Sequence, residues 1–311
     1  MSRLRSKIQL FLHFLIEIVV FQEDQASIKL NIRVLPASCK TLNNIAIQIF
    51  RKLHIILICL DDIMHIELIA DRVDIDKIAE VIRIQENDQL FIDTVNTNVK
   101  NLLIDSSKDD FWKTIVGCLL STQQNSNPES PISKFLDQEP FPLCLEECKR
   151  SDLESYAATV LSNFGGIRFY NNIARYLKNN LKLLEESDGW EQIYLTAKTL
   201  AELRKRDPVF EDIKVERMAS NLVDEKLSGF GPKQSRNFWQ WMGYTRYEIP
   251  IDSRLIKWIN KREILPIKLA SNALSNKDYY EMVLDWVQFL CKEANVLPCL
   301  LDAAIFSSNE K

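Results

Sequence analysis

The apolar periodicity of this chain changes once, near residue 105, and that change restricts it to a strand-rich segment followed by a helical one. Before it, short apolar runs rich in Ile and Val dominate: SIKLNIRVL (27–35), HIILICL (54–60) and DQLFIDTV (88–95), the first and third alternating as half-buried strands do. Between them, TLNNIAIQIFRKL (41–53) and DIDKIAEVIRI (74–84) carry apolar residues at helical spacing, and Asp61-Asp62 suits a turn. Residues 1–105 therefore read as an α+β domain, with the polar stretch from Asn96 to Asp110 as its boundary. Beyond Asp110 the spacing is three and four. In DFWKTIVGCLL, the residues Phe111, Trp112, Ile115, Val116, Leu119 and Leu120 share one helix face. Amphipathic runs follow at 152–163, 168–184, 190–205, 233–243, 253–262 and 279–292, so residues 106–311 read as an all-α domain.

Several function classes fall away. All three histidines (13, 54 and 65) precede the helical half, so a Ser-His-Asp or Cys-His machine there has no imidazole, and any base must be a carboxylate or an amine. No glycine precedes Gly117, and no dinucleotide or P-loop fingerprint occurs. The seven cysteines contain no C-x-x-C pair, as expected of reduced thiols rather than a structural zinc site. The apolar stretch Ile8 to Val20, behind Arg3, Arg5 and Lys7, has the outline of a signal peptide. His13 and Glu17 interrupt it, no small-x-small site follows, and it is too short to span a bilayer. It reads as a buried element, and the expectation is a cytoplasmic protein with no membrane partner.

The segment LVDEKLSGFGPKQSRNFWQWMG (222–243) reads as helix, tight turn, helix, with Gly229 and Gly231 two apart in the turn. Glycine reaches backbone conformations closed to other residues and lets a ligand approach the main chain. Pro232 suits the first turn of the next helix, whose free N–H groups and positive end form an anion site. A phosphodiester held there is gripped without its sequence being read. The formal charge of the chain is -4, yet eight basic residues (226, 233, 236, 246, 254, 257, 261 and 262) face only Glu248 and Asp252 in this stretch, as a phosphate-tracking surface requires. Trp239, Trp241 and Trp258 fit either base stacking or, at helical spacing, core packing. Each residue also has an ordinary explanation: a helix–helix turn, a solvated lysine, and an N-cap at Asp252. Together, an amine just beyond the hairpin and a carboxylate about twenty residues later suit attack on a sugar carbon held by its flanking phosphate.

These residues resemble the helix-hairpin-helix DNA glycosylase superfamily, whose lyase-competent members carry L-x-G-x-G-x-K and then a hydrophobic-Asp motif. Here these are LSGFGPK (227–233) and PIDSRL (250–255). VGCLLSTQQ (116–124), GGIRFYNNIARYL (165–177) and LPCLLDAAIF (297–306) resemble the archaeal-type (type 2) 8-oxoguanine DNA glycosylase/AP lyases, so the resemblance spans about residues 108 to 311. Endonuclease III relatives usually add a four-cysteine iron–sulfur loop near the C-terminus; only Cys291 and Cys299 lie there, so no iron–sulfur cluster is expected.

The resemblance implies roles. Lys233 is the nucleophile that attacks C1′ of a flipped nucleotide, releases the base and leaves a Schiff base, and β-elimination then nicks the strand. Asp252 stabilises the developing positive charge at the sugar. Gly229 and Gly231 bind DNA phosphate, and in relatives the hairpin carbonyls also hold a monovalent cation; no other cofactor is required. Base recognition falls to Gln123 or Gln124, to Asp302 and to Lys311 with its terminal carboxylate, while either glutamine fits equally well as a helix C-terminal amide. The chain departs from the family in having Ile305-Phe306 where the last motif tends to end in Trp, and Arg254 where many relatives have His. The partner implied is double-stranded DNA containing a damaged base. The N-terminal segment, with twelve basic against fourteen acidic residues through Asp105, leans toward a protein partner. The alternatives are a non-catalytic DNA-binding module of a repair or defence assembly and a glycosylase for another lesion.

Overall fold

A computed structural model describes residues 16–21, 29–34, 57–60, 63–67, 72–100, 106–122, 124, 129–150, 152–186, 188–265 and 268–308. The first four segments are strands β1 (Ile16–Phe21), β2 (Lys29–Val34), β3 (Leu57–Leu60) and β4 (Ile63–Glu67), paired antiparallel in the order β1-β2-β4-β3. The register sets Ile18 opposite Ile32, and Leu30 opposite Ile66. The runs at 27–35 and 54–60 thus supply β2 and β3. The helix expected at 41–53 lies outside the described residues.

The rest of the described chain is helical: α1 (Arg72–Gln85), α2 (Gln89–Thr94) and a π-helical turn (Val95–Lys100); then α3 (Lys108–Leu120), α4 (Pro131–Leu136), α5 (Leu145–Arg150), α6 (Leu153–Phe164) and α7 (Tyr170–Glu186); then α8 (Gly189–Arg204), α9 (Asp212–Lys226), α10 (Pro232–Trp241) and α11 (Ser253–Lys261). A 3-10 turn (Ser271–Ser275), α12 (Lys277–Glu293) and α13 (Pro298–Ser307) complete it.

Two expectations about the first hundred residues are corrected. DQLFIDTV is not a strand: the Asp88 carboxylate accepts from the N–H groups of Leu90 (2.9 Å) and Phe91 (3.3 Å), and this N-cap starts α2. Phe91 is buried, and Val95 and Val99 follow it at four-residue intervals on the same packed side. The alternation was a short-range coincidence that the cap overrode. Second, 72–100 packs on the helical half, across the boundary expected near 105. Ile78, Val81 and Phe91 lie in one core with residues of α11, α12 and α13, and the buried Asn98 amide donates to the carbonyls of Gln240 (2.9 Å) and Thr245 (3.0 Å). These helices belong to the helical body, and what is described of the first 71 residues is sheet.

Two apolar clusters build that body. The first centres on α3, which starts at a capping box between Ser107 and Asp110 and buries Phe111, Trp112, Ile115, Val116, Leu119 and Leu120, the face expected from their spacing. Each such side chain contributes about 1.5–3 kcal/mol on burial. α4 to α8 wrap around it, and Phe238 and Trp239 of α10 close it. The second cluster joins α1 and α2 to α11, α12 and α13.

Loops are held to helices by side-chain amides that pair as a peptide group would. Asn180 of α7 donates to the Ser228 carbonyl (3.1 Å) and accepts from the Ser228 N–H (2.7 Å). Gln124 does the same to Arg168 (3.1 and 2.7 Å), and Asn260 to Leu269 (2.9 and 2.7 Å).

Candidate active site

The α9–α10 turn is the predicted hairpin, and its two glycines serve different needs. Gly229 has φ +81°, and a Cβ there would stand 2.4 Å from Tyr176 Cδ2 and 2.8 Å from Leu119 Cδ2. Left-handed backbone and close packing both demand glycine. Gly231 is extended (φ -146°) and N-caps α10, and a Cβ there would meet nothing within 4 Å. The chain itself does not require glycine at 231.

Lys233 follows in the first turn of α10, half-buried, its Nζ without a hydrogen-bond or ion-pair partner among the described residues. Its charge acts on Asp252 at the start of α11, Asp302 of α13 and Cys118 of α3. Three residues singled out from sequence are therefore neighbours. Asp252 N-caps α11: Oδ1 accepts from the N–H groups of Arg254 (2.8 Å) and Leu255 (3.2 Å), while Oδ2 pairs with the Arg254 guanidinium, Nε at 2.7 Å. Burial works against its charge, but Arg254, Lys233 and the cap N–H groups prevail and hold the carboxyl below the usual range. Asp252 is thus the N-cap of α11, and the same carboxylate feels the charge of Lys233. Asp302 accepts from Gln240 Nε2 at 3.0 Å, and burial reinforced by Asp252 pushes it up to about 6. Two carboxyls beside one amine are thus driven apart in pKa.

Between hairpin and carboxylate the chain runs over a buried ionic strap. Glu216 of α9 accepts from the N–H groups of Arg246 (2.9 Å), Tyr247 (2.7 Å) and Glu248 (2.9 Å), and burial raises it to about 7. Glu248 in turn pairs with Arg236 of α10 (3.0 Å) and Arg217 of α9 (2.9 Å). The connection from α10 to α11 is thus tied at residues 246–248 to both α9 and α10.

Other expectations change. Arg236 and Arg246 are interior and belong to this strap, so the exposed basic surface is smaller than the eight residues counted from sequence. Trp239 and Trp258 are core, whereas Trp241 is 45% exposed. The Gln124 amide bonds the Arg168 backbone and the Leu120 carbonyl (2.9 Å), so both Nε2 hydrogens are engaged within the chain. Gln123 and Lys311 lie outside the described residues. Sequence reasoning missed Gln234, Asn237 and Gln240, a buried polar stripe on α10 in which Gln234 donates to Thr122 Oγ1 (2.9 Å) and Asn237 to Gln234 (2.8 Å). Three amides at three-residue intervals in a helix too polar for its position were the available signal. It links STQQ to the hairpin through Thr122 and Ser121.

Compared with solved structures, the chain superposes on the 8-oxoguanine DNA glycosylase of Methanocaldococcus jannaschii with a TM-score of 0.52 over 77% of this chain and 96% of that one, at 17% identity. The fold is that of an 8-oxoguanine DNA glycosylase. The Thermotoga maritima enzyme of that name gives the same TM-score over 76% of this chain and 97% of its own, at 14% identity. No family model matches the sequence, and no curated protein does. The covered share exceeds what residues 106–311 amount to, as it should if α1 and α2 belong to the glycosylase fold. Cys291 and Cys299 are both buried in its second cluster. Among the described residues, no group of His, Cys, Asp and Glu has the arrangement of a metal site, and no helix is long and apolar enough to cross a membrane.

Proposed function

We propose that this chain is a bifunctional DNA glycosylase/AP lyase that removes 8-oxoguanine from double-stranded DNA. One observation carries the reading: Lys233, one residue past the hairpin helix start and an amine without a partner among the described residues, acts by its charge on two carboxyls shifted in opposite directions, Asp252 and Asp302. A phosphate at the open face of Gly231 and the N-terminus of α10 fixes the nucleotide beside it. Glycine at 231 then answers a need of the ligand. Lys233 Nζ, in its neutral form, attacks C1′ as the base leaves; ionised Asp252 stabilises the positive charge growing on the sugar, and Asp302, protonated below about pH 6, holds a proton near the departing base. The iminium that remains allows β-elimination of the 3′ phosphate. A monovalent cation on the hairpin carbonyls belongs to the same reading, as do a cytoplasmic location and a protein partner for the N-terminal sheet.

The test is to incubate the protein with a duplex carrying one 8-oxoguanine opposite cytosine and to add borohydride. A covalent adduct absent from Lys233→Gln supports lysine chemistry on this lesion. No adduct with this duplex or with an abasic one, together with no release of the base, leaves a non-catalytic DNA-binding module. An adduct with the abasic duplex alone points to another lesion.

A further inference from the structure

Arg254 opens the first turn of α11, and its guanidinium has two neighbours. Nε and Nη2 both reach Asp252 Oδ2, while the guanidinium carbon lies 4.0 Å from the centre of the Phe306 ring, a face stack. With Oδ1 occupied by the cap N–H groups, Asp252 has both oxygens engaged by its own helix. A carboxylate so held has no free oxygen to offer a sugar. Exposure across the pair is uneven: the Arg254 side chain is 45% exposed and that of Asp252 14%. A ligand reaches the guanidinium first, and reaches Oδ2 only by displacing it. An arginine fork accepts a phosphate as readily as a carboxylate. The two places where this chain departs from the family motifs, Arg254 and Phe306, are therefore in contact with each other, and Arg254 joins them to Asp252.

Resting on the glycosylase reading, we propose that Arg254 is a phosphate-responsive latch on Asp252. In the DNA-free protein it holds Oδ2; in the complex it passes to a backbone phosphate beside the extruded nucleotide, pivoting on the Phe306 ring, and Oδ2 turns to the sugar. Arg254 is a positioning residue, acting through Asp252. The charged groups facing Asp252 are Arg254 on its own helix, Lys233 from α10 and Asp302 from α13. A latch that releases changes this set on binding, whereas a static pair does not.

That difference is measurable on the full chain. For Arg254→Gln, the slope of log affinity against log salt, measured with a duplex containing a tetrahydrofuran abasic analogue, should shrink by about 0.9, one phosphate contact. On an abasic duplex, KM should rise more than kcat falls. The acid limb of kcat/KM, which reports the free enzyme, should move to higher pH by more than the acid limb of kcat, which reports the complex. Arg254→Lys, with the charge but without the fork, should restore the salt slope and leave the kcat/KM limb displaced. An unchanged salt slope, or equal displacement of the two limbs, makes Arg254 a static partner and overturns the latch. Failure of the unaltered protein to form a borohydride adduct with the abasic duplex is a different result. It removes the glycosylase reading, and the latch with it.

Discussion

Replacing each hairpin glycine by alanine should separate folding from binding. At Gly229 the new Cβ meets two penalties. Left-handed backbone costs a non-glycine residue about 1–2 kcal/mol, and a methyl group 2.4 Å from the Tyr176 ring and 2.8 Å from Leu119 adds an overpacking cost of about 1–3 kcal/mol. Gly229→Ala should therefore lose about 2–5 kcal/mol, a large part of the stability of an ordinary domain. At Gly231, alanine is a poorer cap by about 0.5–1 kcal/mol, offset by the lower entropy of its unfolded chain, about 0.4–1 kcal/mol. With nothing within 4 Å of its Cβ, Gly231→Ala should unfold with the unaltered protein to within about 0.5 kcal/mol. Its duplex affinity should nonetheless fall, because the methyl group would stand at the proposed phosphate site. Urea denaturation followed by tryptophan fluorescence, beside a duplex titration at fixed salt, gives both numbers. Equal stability of the two variants would refute the packing argument, and full duplex affinity in Gly231→Ala would refute the phosphate site.

Three further substitutions probe the rest. Asp252→Asn keeps a side-chain oxygen for the cap N–H groups, so it should fold while losing base release by orders of magnitude in single-turnover assays; unfolding instead would reduce Asp252 to a structural cap. Glu248→Gln should cost about 3–5 kcal/mol in urea denaturation by leaving the buried Arg236 without its carboxylate, while Arg217 keeps Asp285. Asp302, raised to about 6, retains its proton in the folded state when the unfolded chain has released it. Stability is thus lost as pH rises from about 4 through 6, by up to about 3 kcal/mol. Asp302→Asn should flatten that part of the pH–stability curve, and an unaltered curve would place Asp302 in water.

The helical half was readable because its cues are local. Phe111 to Leu120 share a face that a 3.6-residue period reveals, and a glycine pair followed by proline and lysine leaves few backbone choices. The first hundred residues mislead for the complementary reason: DQLFIDTV satisfies a period of two over eight residues, and only the Asp88 cap and a core contributed by α11 to α13, some two hundred residues away, decide for helix. The candidate site divides the same way. Lys233 and Asp252 stand out by spacing, but that Arg236 is the internal counter-charge of Glu248, and that Arg246 is held inside with its N–H on Glu216, depends on carboxylates that sequence cannot place beneath them. Gln124 was one of two adjacent glutamines, and only the fold shows which backbone it serves.

The loops beside the proposed DNA surface hang on uncharged amides. Asn180 and Gln124 hold Ser228 and Arg168 through one donated and one accepted hydrogen bond each, so the hairpin and the 165–169 loop keep their places at any pH or salt at which the domain is folded. The same chemistry sets a limit on how long the protein lasts. Deamidation turns the donor into a second acceptor facing a carbonyl, and a single hydrolysed amide at 180 would push the hairpin off α7 with every ion pair intact. Ageing of this molecule should therefore show as lost DNA affinity before any loss of secondary structure.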